Sequence, residues 1–288
     1  KLLFLLIALA VLIPLLKPSW LKLPIKIDKN TEIVFEAISN LEEGDRVLLS
    51  FAYGASTKPE VHPMAVALLK HLFSKGIYVY IVSLWPEGPI MANQALDDVW
   101  KTGLFKKPVT YNESNHVLFD YKVGGFVVIK GIADNFREIY KQDISGKSID
   151  EIYIMKNIES IEDFDFVFDF SAGVPGNAEW VQYACDPKDV PLSSGCTSIM
   201  VTDAIPYVQS GQLQGILAGM PGAAEYEKLV NDYMIYEQNN NNEYILPDAV
   251  IKRGAAYKRM SAQSVAHLLM VLFIIAGNLA YYFSRREN

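Results

Sequence analysis

Residues 46–84 read RVLLSFAYGASTKPEVHPMAVALLKHLFSKGIYVYIVSL, and this stretch decides the fold. Arg46–Ala52 is a short apolar run, closed by Tyr53-Gly54, with the composition of a strand buried on both faces. Val61–Lys75 carries apolar residues at helical spacing, and Gly76 stands just past its end, where helices stop. Ile77–Leu84 is a second strand-like run, rich in Ile, Val and Tyr. Strand, helix, strand in that order is a βαβ unit, whose crossover makes the two strands parallel.

The same alternation continues along the chain. Gly125–Lys130, Phe164–Phe170 and Thr197–Thr202 are the further strand candidates. Ile90–Gly103, Asp134–Gln142, Asn177–Cys185, Ile205–Leu217 and Ala223–Tyr236 are the further helix candidates. The expected fold is therefore α/β, a Rossmann-like or flavodoxin-like three-layer sandwich with a parallel sheet, flanked by N- and C-terminal transmembrane helices. Gly211–Glu227 is dense in small residues. It reads either as a helix stopping near Gly219, a Met-Pro turn and a new helix from about Ala223, or as a close-packing surface for a partner or the bilayer interface.

Two apolar runs bracket this domain. Ser264–Phe283 is twenty residues without Asp, Glu, Lys or Arg, long enough to cross a hydrocarbon core of about 30 Å. Leu2–Leu16 resembles the apolar part of a signal peptide, but no small-residue cleavage site comes after it, so it is read as an uncleaved anchor. Pro14 and Pro18 are expected to end its helix, and Trp20 suits a headgroup layer. The sequence begins at Lys1 rather than Met, which leaves residues upstream of it open. The expected organisation is an N-terminal transmembrane anchor over 1–17, an α/β domain over 18–236, a linker or juxtamembrane stalk over 237–262 and a C-terminal transmembrane helix over 263–284. Gln238–Asn242, flanked by Glu237 and Glu243, reads as a loop.

Such a two-pass chain has both termini on one side of the bilayer and the domain on the other. The domain-facing flanks carry Lys17, Lys22, Lys26, Lys29, Lys252, Arg253, Lys258 and Arg259, which by positive charge alone would hold the domain in the cytoplasm. Long translocated domains escape much of that rule, and an N-terminal anchor usually exports the domain behind it. The expected domain location is extracytoplasmic, with cytoplasmic as the alternative.

The formal net charge of −7 argues against nucleic acid, which needs a clustered basic surface. Two cysteines are too few for a disulfide scaffold or a four-thiolate zinc site. Cys185 and Cys196 are spaced to allow one loop-closing disulfide, or are two separate thiols.

In an open α/β sheet, ligands sit beyond the carboxyl ends of the strands. The expected strand ends carry Ser50, Asp169, Ser171 and Asp203, with Glu60 and His62 at the start of the helix after Ser50. These six form a candidate polar pocket, although Ser, Asp and Gly are also ordinary turn and cap residues. The fingerprints that would specify chemistry are missing: no G-x-G-x-x-G, no G-x-x-x-x-G-K-[ST] and no G-x-S-x-G. His62 and His71 are nine residues apart, on opposite faces of one helix, and His116 falls in a polar loop expected to be solvated. No metal site and no cofactor are expected. The sequon Asn112-Glu-Ser114 has meaning only in a eukaryotic secretory route.

The terminal apolar helix itself has sides. His267 and Asn278 are eleven residues apart, about three turns, and share one face with Ile274. Ala276 and Ala280, with Gly277 beside them, offer a small-residue surface on roughly the opposite face. Polar groups at membrane depth are costly unless they meet protein or water, so the expected partners are the lipid bilayer and another transmembrane helix. That helix is the chain's own N-terminal anchor, a second copy or another subunit. The expectation for function is a non-enzymatic, membrane-anchored subunit whose domain binds a partner or supports assembly. The alternative is a membrane-tethered enzyme or small-ligand receptor using the strand-end pocket.

Overall fold

A computed structural model describes residues 2–16, 24–105, 115–241 and 254–286. Six strands form one all-parallel sheet: β1 (Arg46–Ala52), β2 (Tyr78–Val82), β3 (His116–Leu118), β4 (Phe166–Ser171), β5 (Leu192–Cys196) and β6 (Ile216–Ala218). Their spatial order is β3-β2-β1-β4-β5-β6, the doubly wound order that reverses direction between β1 and β4. The quoted βαβ unit is present, with α3 (Lys58–Ser74) crossing from β1 to β2.

Helices cover both faces. One layer holds α2 (Lys29–Ser39), α3, α4 (Gly88–Trp100) and α9 (Gly219–Asn241) over Val47, Leu49, Phe51, Phe166, Phe168 and Phe170. The other holds α5 (Phe126–Asp134), the short α6 (Phe136–Ile139), α7 (Asn177–Trp180, continued by a π turn Val181–Cys185) and α8 (Val201–Gln209) over Leu48, Val167, Leu192 and Ile216. Alternate residues of each strand serve opposite layers, the period of two that a sheet buried on both faces requires.

Several elements differ from the sequence reading. Gly125–Lys130 is not a strand but the start of α5. Its buried residues, Val128, Ile129, Ile132 and Ala133, recur at helical spacing, which overrides the β propensity of Val and Ile. The strand of that unit is His116–Leu118, and His116 is not in a solvated loop; its ring lies 6.0 Å from Phe73 and 5.8 Å from Trp100. Thr197–Thr202 is a turn leading into α8. The strand is the preceding Leu-Ser-Ser-Gly-Cys, whose small polar residues hide a position in the middle of the sheet. The expected helix Ile205–Leu217 divides into α8 and β6. α2 has no counterpart in the sequence reading, although Thr31, Val34 and Ile38 line one face and Asp28 caps it.

The glycine-rich segment resolves as a strand-to-helix turn. Gly219 has φ +56°, and a Cβ there would stand 2.2 Å from Ser198 Oγ, so only glycine fits where β6 gives way to α9. The helix continues through Met220-Pro221 without a break, because proline is tolerated in a first turn.

The C-terminal helix α10 (Ala255–Arg286) begins against the domain. Ala256, Tyr257, Ser261 and Ala262 are buried, and Arg259 Nη1 donates to Pro59 O at 2.8 Å at the start of α3. Within it, Arg259–Leu279 is long and apolar enough to cross a membrane. The N-terminal helix α1 (Leu2–Leu16) packs along α10. It runs through Pro14 to Leu16. Among the described residues, α10 holds the one helix that is long and apolar enough to be a candidate span. Pro18, Trp20, Lys17, Lys22, Lys252, Arg253 and the sequon at Asn112 lie outside the described residues.

Glu225 locks α2 onto α9. Its carboxylate accepts Asp28 N–H at 2.9 Å and Thr31 Oγ–H at 2.9 Å, and all but 8% of the residue is buried. Glu225→Ala strands both donors and is expected to cost about 1–3 kcal/mol. Urea unfolding in mild detergent measures it, and Glu225→Gln should recover part of the loss.

Candidate functional site

A doubly wound sheet opens a crevice where its order reverses, here above the carboxyl ends of β1 and β4. In this chain its own side chains occupy that place. Trp85, in the loop after β2, reaches past β1 to donate Nε1–H to Pro175 O at 3.0 Å, with its indole against Gly173. Glu87 accepts Ala55 N–H at 3.1 Å in the loop after β1, lying so close to Gly54 that a Cβ there would be 1.6 Å from its oxygen. Glu179 accepts Gly176 N–H at 2.8 Å in the loop after β4. Glu60 accepts Ser198 N–H at 2.7 Å and its hydroxyl at 2.5 Å in the loop after β5.

These loop N–H groups are the donors with which such a fold would hold a phosphate. Each carries a carboxylate already, in a hydrogen bond to a charged group worth about 1.5–3 kcal/mol. An incoming anion would have to displace these bonds and meet the negative charges that make them.

The six candidate residues do not converge. Ser50, Asp169 and Ser194 stand side by side on β1, β4 and β5, facing the α7 layer. Asp169 is fully buried, and neither carboxylate oxygen has a hydrogen-bond partner. Trp180 Nε1–H donates to Ser50 Oγ at 3.0 Å, and Ser194 Oγ donates to the Asp169 carbonyl at 3.0 Å. Ser171 lies one layer further along the sheet and accepts Asn177 N–H at 3.4 Å. The Asn177 side chain is also buried without a partner. Burial pushes the Asp169 carboxyl up to about 7, with Ser50 and Ser171 opposing the rise.

His62 lies on the opposite face of the sheet. Asp98 is held as a carboxylate by Lys101 and His62, so His62 Nε2–H donates to it at 3.2 Å and Nδ1 accepts from Tyr53 O–H at 2.9 Å. Burial holds the imidazole below its ordinary value against the opposing pull of Asp98. His71 repeats the motif on the other face of α3. Ser39 Oγ–H is committed to Phe35 O, so His71 Nε2–H points to Ser39 at 3.4 Å and Nδ1 accepts from Tyr226 O–H at 2.9 Å. Burial lowers its pKa to about 3, so both histidines are neutral struts. Glu60 is a tether, and Asp203 is exposed on the first turn of α8.

Cys185 and Cys196 are free, buried thiols rather than a disulfide, and burial raises both, Cys196 to about 12. Among the described residues no group of three or more His, Cys, Asp or Glu is placed to hold a metal ion. On α10, His267, Ala276, Gly277 and Asn278 are exposed, while Val265, Ala266, Leu269 and Phe273 form the partly covered face. The surroundings of the Ala280 side chain lie outside the described residues.

The chain matches no known protein-family model, and neither a curated protein nor a solved structure matches it.

Trp85, Glu87, Glu179 and Asn177 define the crevice, yet no sequence motif marks them. Glu87 and Glu179 sit near helix starts as any capping acid would, and Trp85 acts through a contact with residue 175, far away in sequence.

Asp169 gives a pH signature. Its folded pKa lies above the ordinary 3.8, so its stabilising contribution is full below pH 4 and is lost as pH rises to about 7. Over about three pH units, at about 1.4 kcal/mol each, this amounts to roughly 4 kcal/mol. Asp169→Asn should therefore gain stability relative to the unsubstituted chain between pH 4 and pH 7.5, by denaturant unfolding in mild detergent. His71→Gln should show the opposite relative trend, since a neutral buried His71 stabilises above pH 6.5 and loses that contribution as pH falls toward 3.

Proposed function

We propose that the chain is a non-enzymatic, membrane-anchored subunit whose α/β domain serves partner binding or assembly of a larger membrane complex. The observation that carries this reading is the self-occupied crevice: Trp85 crosses it, and Glu60, Glu87 and Glu179 hold the loop N–H groups around it. In this reading the Rossmann-like sheet is a scaffold. The candidate pocket residues act as tethers and buried supports.

The anchor is two-pass, with α1 lying along α10 and the domain extracytoplasmic. Contact between the two apolar helices and the export logic of an N-terminal anchor support it. The exposed His267 and Asn278 stripe points to a further helix, because polar groups at membrane depth gain most from protein partners.

A second reading, a membrane-tethered receptor or enzyme for a small ligand, rests on Asp169 and Asn177, both buried without side-chain partners. Two measurements separate the readings. Purified from native membranes in mild detergent, the chain should co-migrate with a membrane protein or a second copy, and migration as a lone monomer would overturn the assembly reading. Millimolar nucleotides, dinucleotides and sugar phosphates should leave the thermal midpoint unchanged. A ligand present at 100 times its Kd would add about 2.7 kcal/mol, a shift of a few degrees that favours the receptor reading.

The helix contact is checked by single cysteines. Asn278→Cys should crosslink to a partner chain or a second copy, and Leu269→Cys, on the partly covered face of α10, should not.

A further inference from the structure

The path of α10 sets the orientation of the domain against a bilayer. In a parallel sheet every strand ends at one edge, and α3 and α9 both start there and run down the sheet face. α10 runs the other way along them. Ala256 N–H donates to Glu227 Oε2 at 3.2 Å, two turns down α9, and Arg259 then reaches Pro59 O in the first turn of α3. Burial ends at Ala262, so the apolar part of the helix departs beyond the carboxyl edge of the sheet. The helix is continuous through this point, which leaves no hinge between packed and apolar parts.

That same edge carries the three most exposed apolar side chains among the described residues of the domain. Val123 is 80% exposed after β3, Val174 74% exposed after β4 and Ile199 85% exposed after β5. Phe126 and Val127 stand on the first turn of α5 at 50% and 62%, and Ile90 on the first turn of α4 at 56%. Apolar loop tips of this kind are uncommon on a surface that meets only water when they cluster at one end. Nearby Lys58, Lys122, Glu87 and Asp203 give that edge charges of both signs, so the complementary surface is apolar and not strongly charged.

We infer that the carboxyl edge of the sheet lies on the membrane surface, with the tips Val123, Val174 and Ile199 seated at the headgroup–acyl boundary around the emerging α10. The occupant is the lipid bilayer itself, because the helix leaving this edge places lipid there. The inference rests on the reading of α10 as membrane-embedded. It adds a docked orientation in which the loops over the closed crevice face the bilayer.

The test uses the full chain in phosphatidylcholine vesicles containing a lipid-borne quencher, with an environment-sensitive fluorophore on single cysteines at Val123, Val174 or Ile199. Glu43→Cys, exposed at the opposite edge just before β1, is the reference. Leu272→Cys on α10 reports insertion, and the unsubstituted chain, whose two cysteines are buried, gives the labelling background. Tips seated about 5–10 Å into the boundary should be quenched at least about twofold more than the label at 43. If 272 is quenched but 123, 174 and 199 match 43, the docked orientation is wrong and the anchor stands. If 272 is not quenched, the anchor reading fails and the orientation falls with it.

Discussion

The parallel pairing of β1 with β4 is the contact on which the rest of this molecule depends. It joins residues 46–52 to residues 166–171, in a register that sets Ser50 against Asp169 and Ala52 against Ser171. Between these two strands the chain winds outward on one side of the seam, through β2 and β3. After β4 it winds outward on the other, through β5 and β6. The seam is strongly specified, because a slip of one residue would send Phe166, Phe168 and Phe170 to the wrong layer. It also carries a cost, since it buries Asp169 between Ser50 and Ser194 with its carboxylate oxygens unpartnered.

The seam makes a crevice at its carboxyl end, and the chain fills that crevice from three directions. Trp85 comes from beyond β2, Glu87 from the head of α4 and Glu179 from the first turn of α7. Glu60 closes the neighbouring loop after β5. Such contacts stiffen the loops and satisfy their donors. They suit an element that must hold its shape within an assembly better than one that must open to admit an anion. The two α3 histidines fit the same picture, each neutral and each held by a buried tyrosine hydroxyl.

The C-terminal apolar helix is built into the domain rather than appended to it. Two turns of α10 are part of the packing against α3 and α9, and Glu225 fixes α2, the first helix after the N-terminal apolar segment, on the same α9. The domain thus has a defined attitude relative to the apolar helix, set by buried contacts. That continuity gives meaning to the exposed apolar tips along one edge.

The local patterns that act over ten or twenty residues were legible in the chain. Arg46–Ala52 matches β1 residue for residue, α3 and α4 stand where apolar spacing puts them, and the terminal apolar run shows by length and composition alone. Where local and tertiary signals conflict, the sequence misleads. Leu-Ser-Ser-Gly-Cys is a central strand because neighbours bury it, and Phe126–Asp134 is a helix because its apolar residues must meet one face of the sheet. His116–Leu118 and Ile216–Ala218 are too short to show a period. The candidate site was half legible. Ser50, Asp169 and Ser171 do gather at the seam, but His62 lies across the sheet, Glu60 serves a loop and Asp203 faces solvent. The sequence by itself determined the α/β class, the alternation of strand and helix, and the apolar terminal helix, since these arise from periodicity and length. Tertiary structure alone decided the strand order, the closing of the crevice and the edge from which α10 departs, because each depends on contacts between residues far apart in the chain.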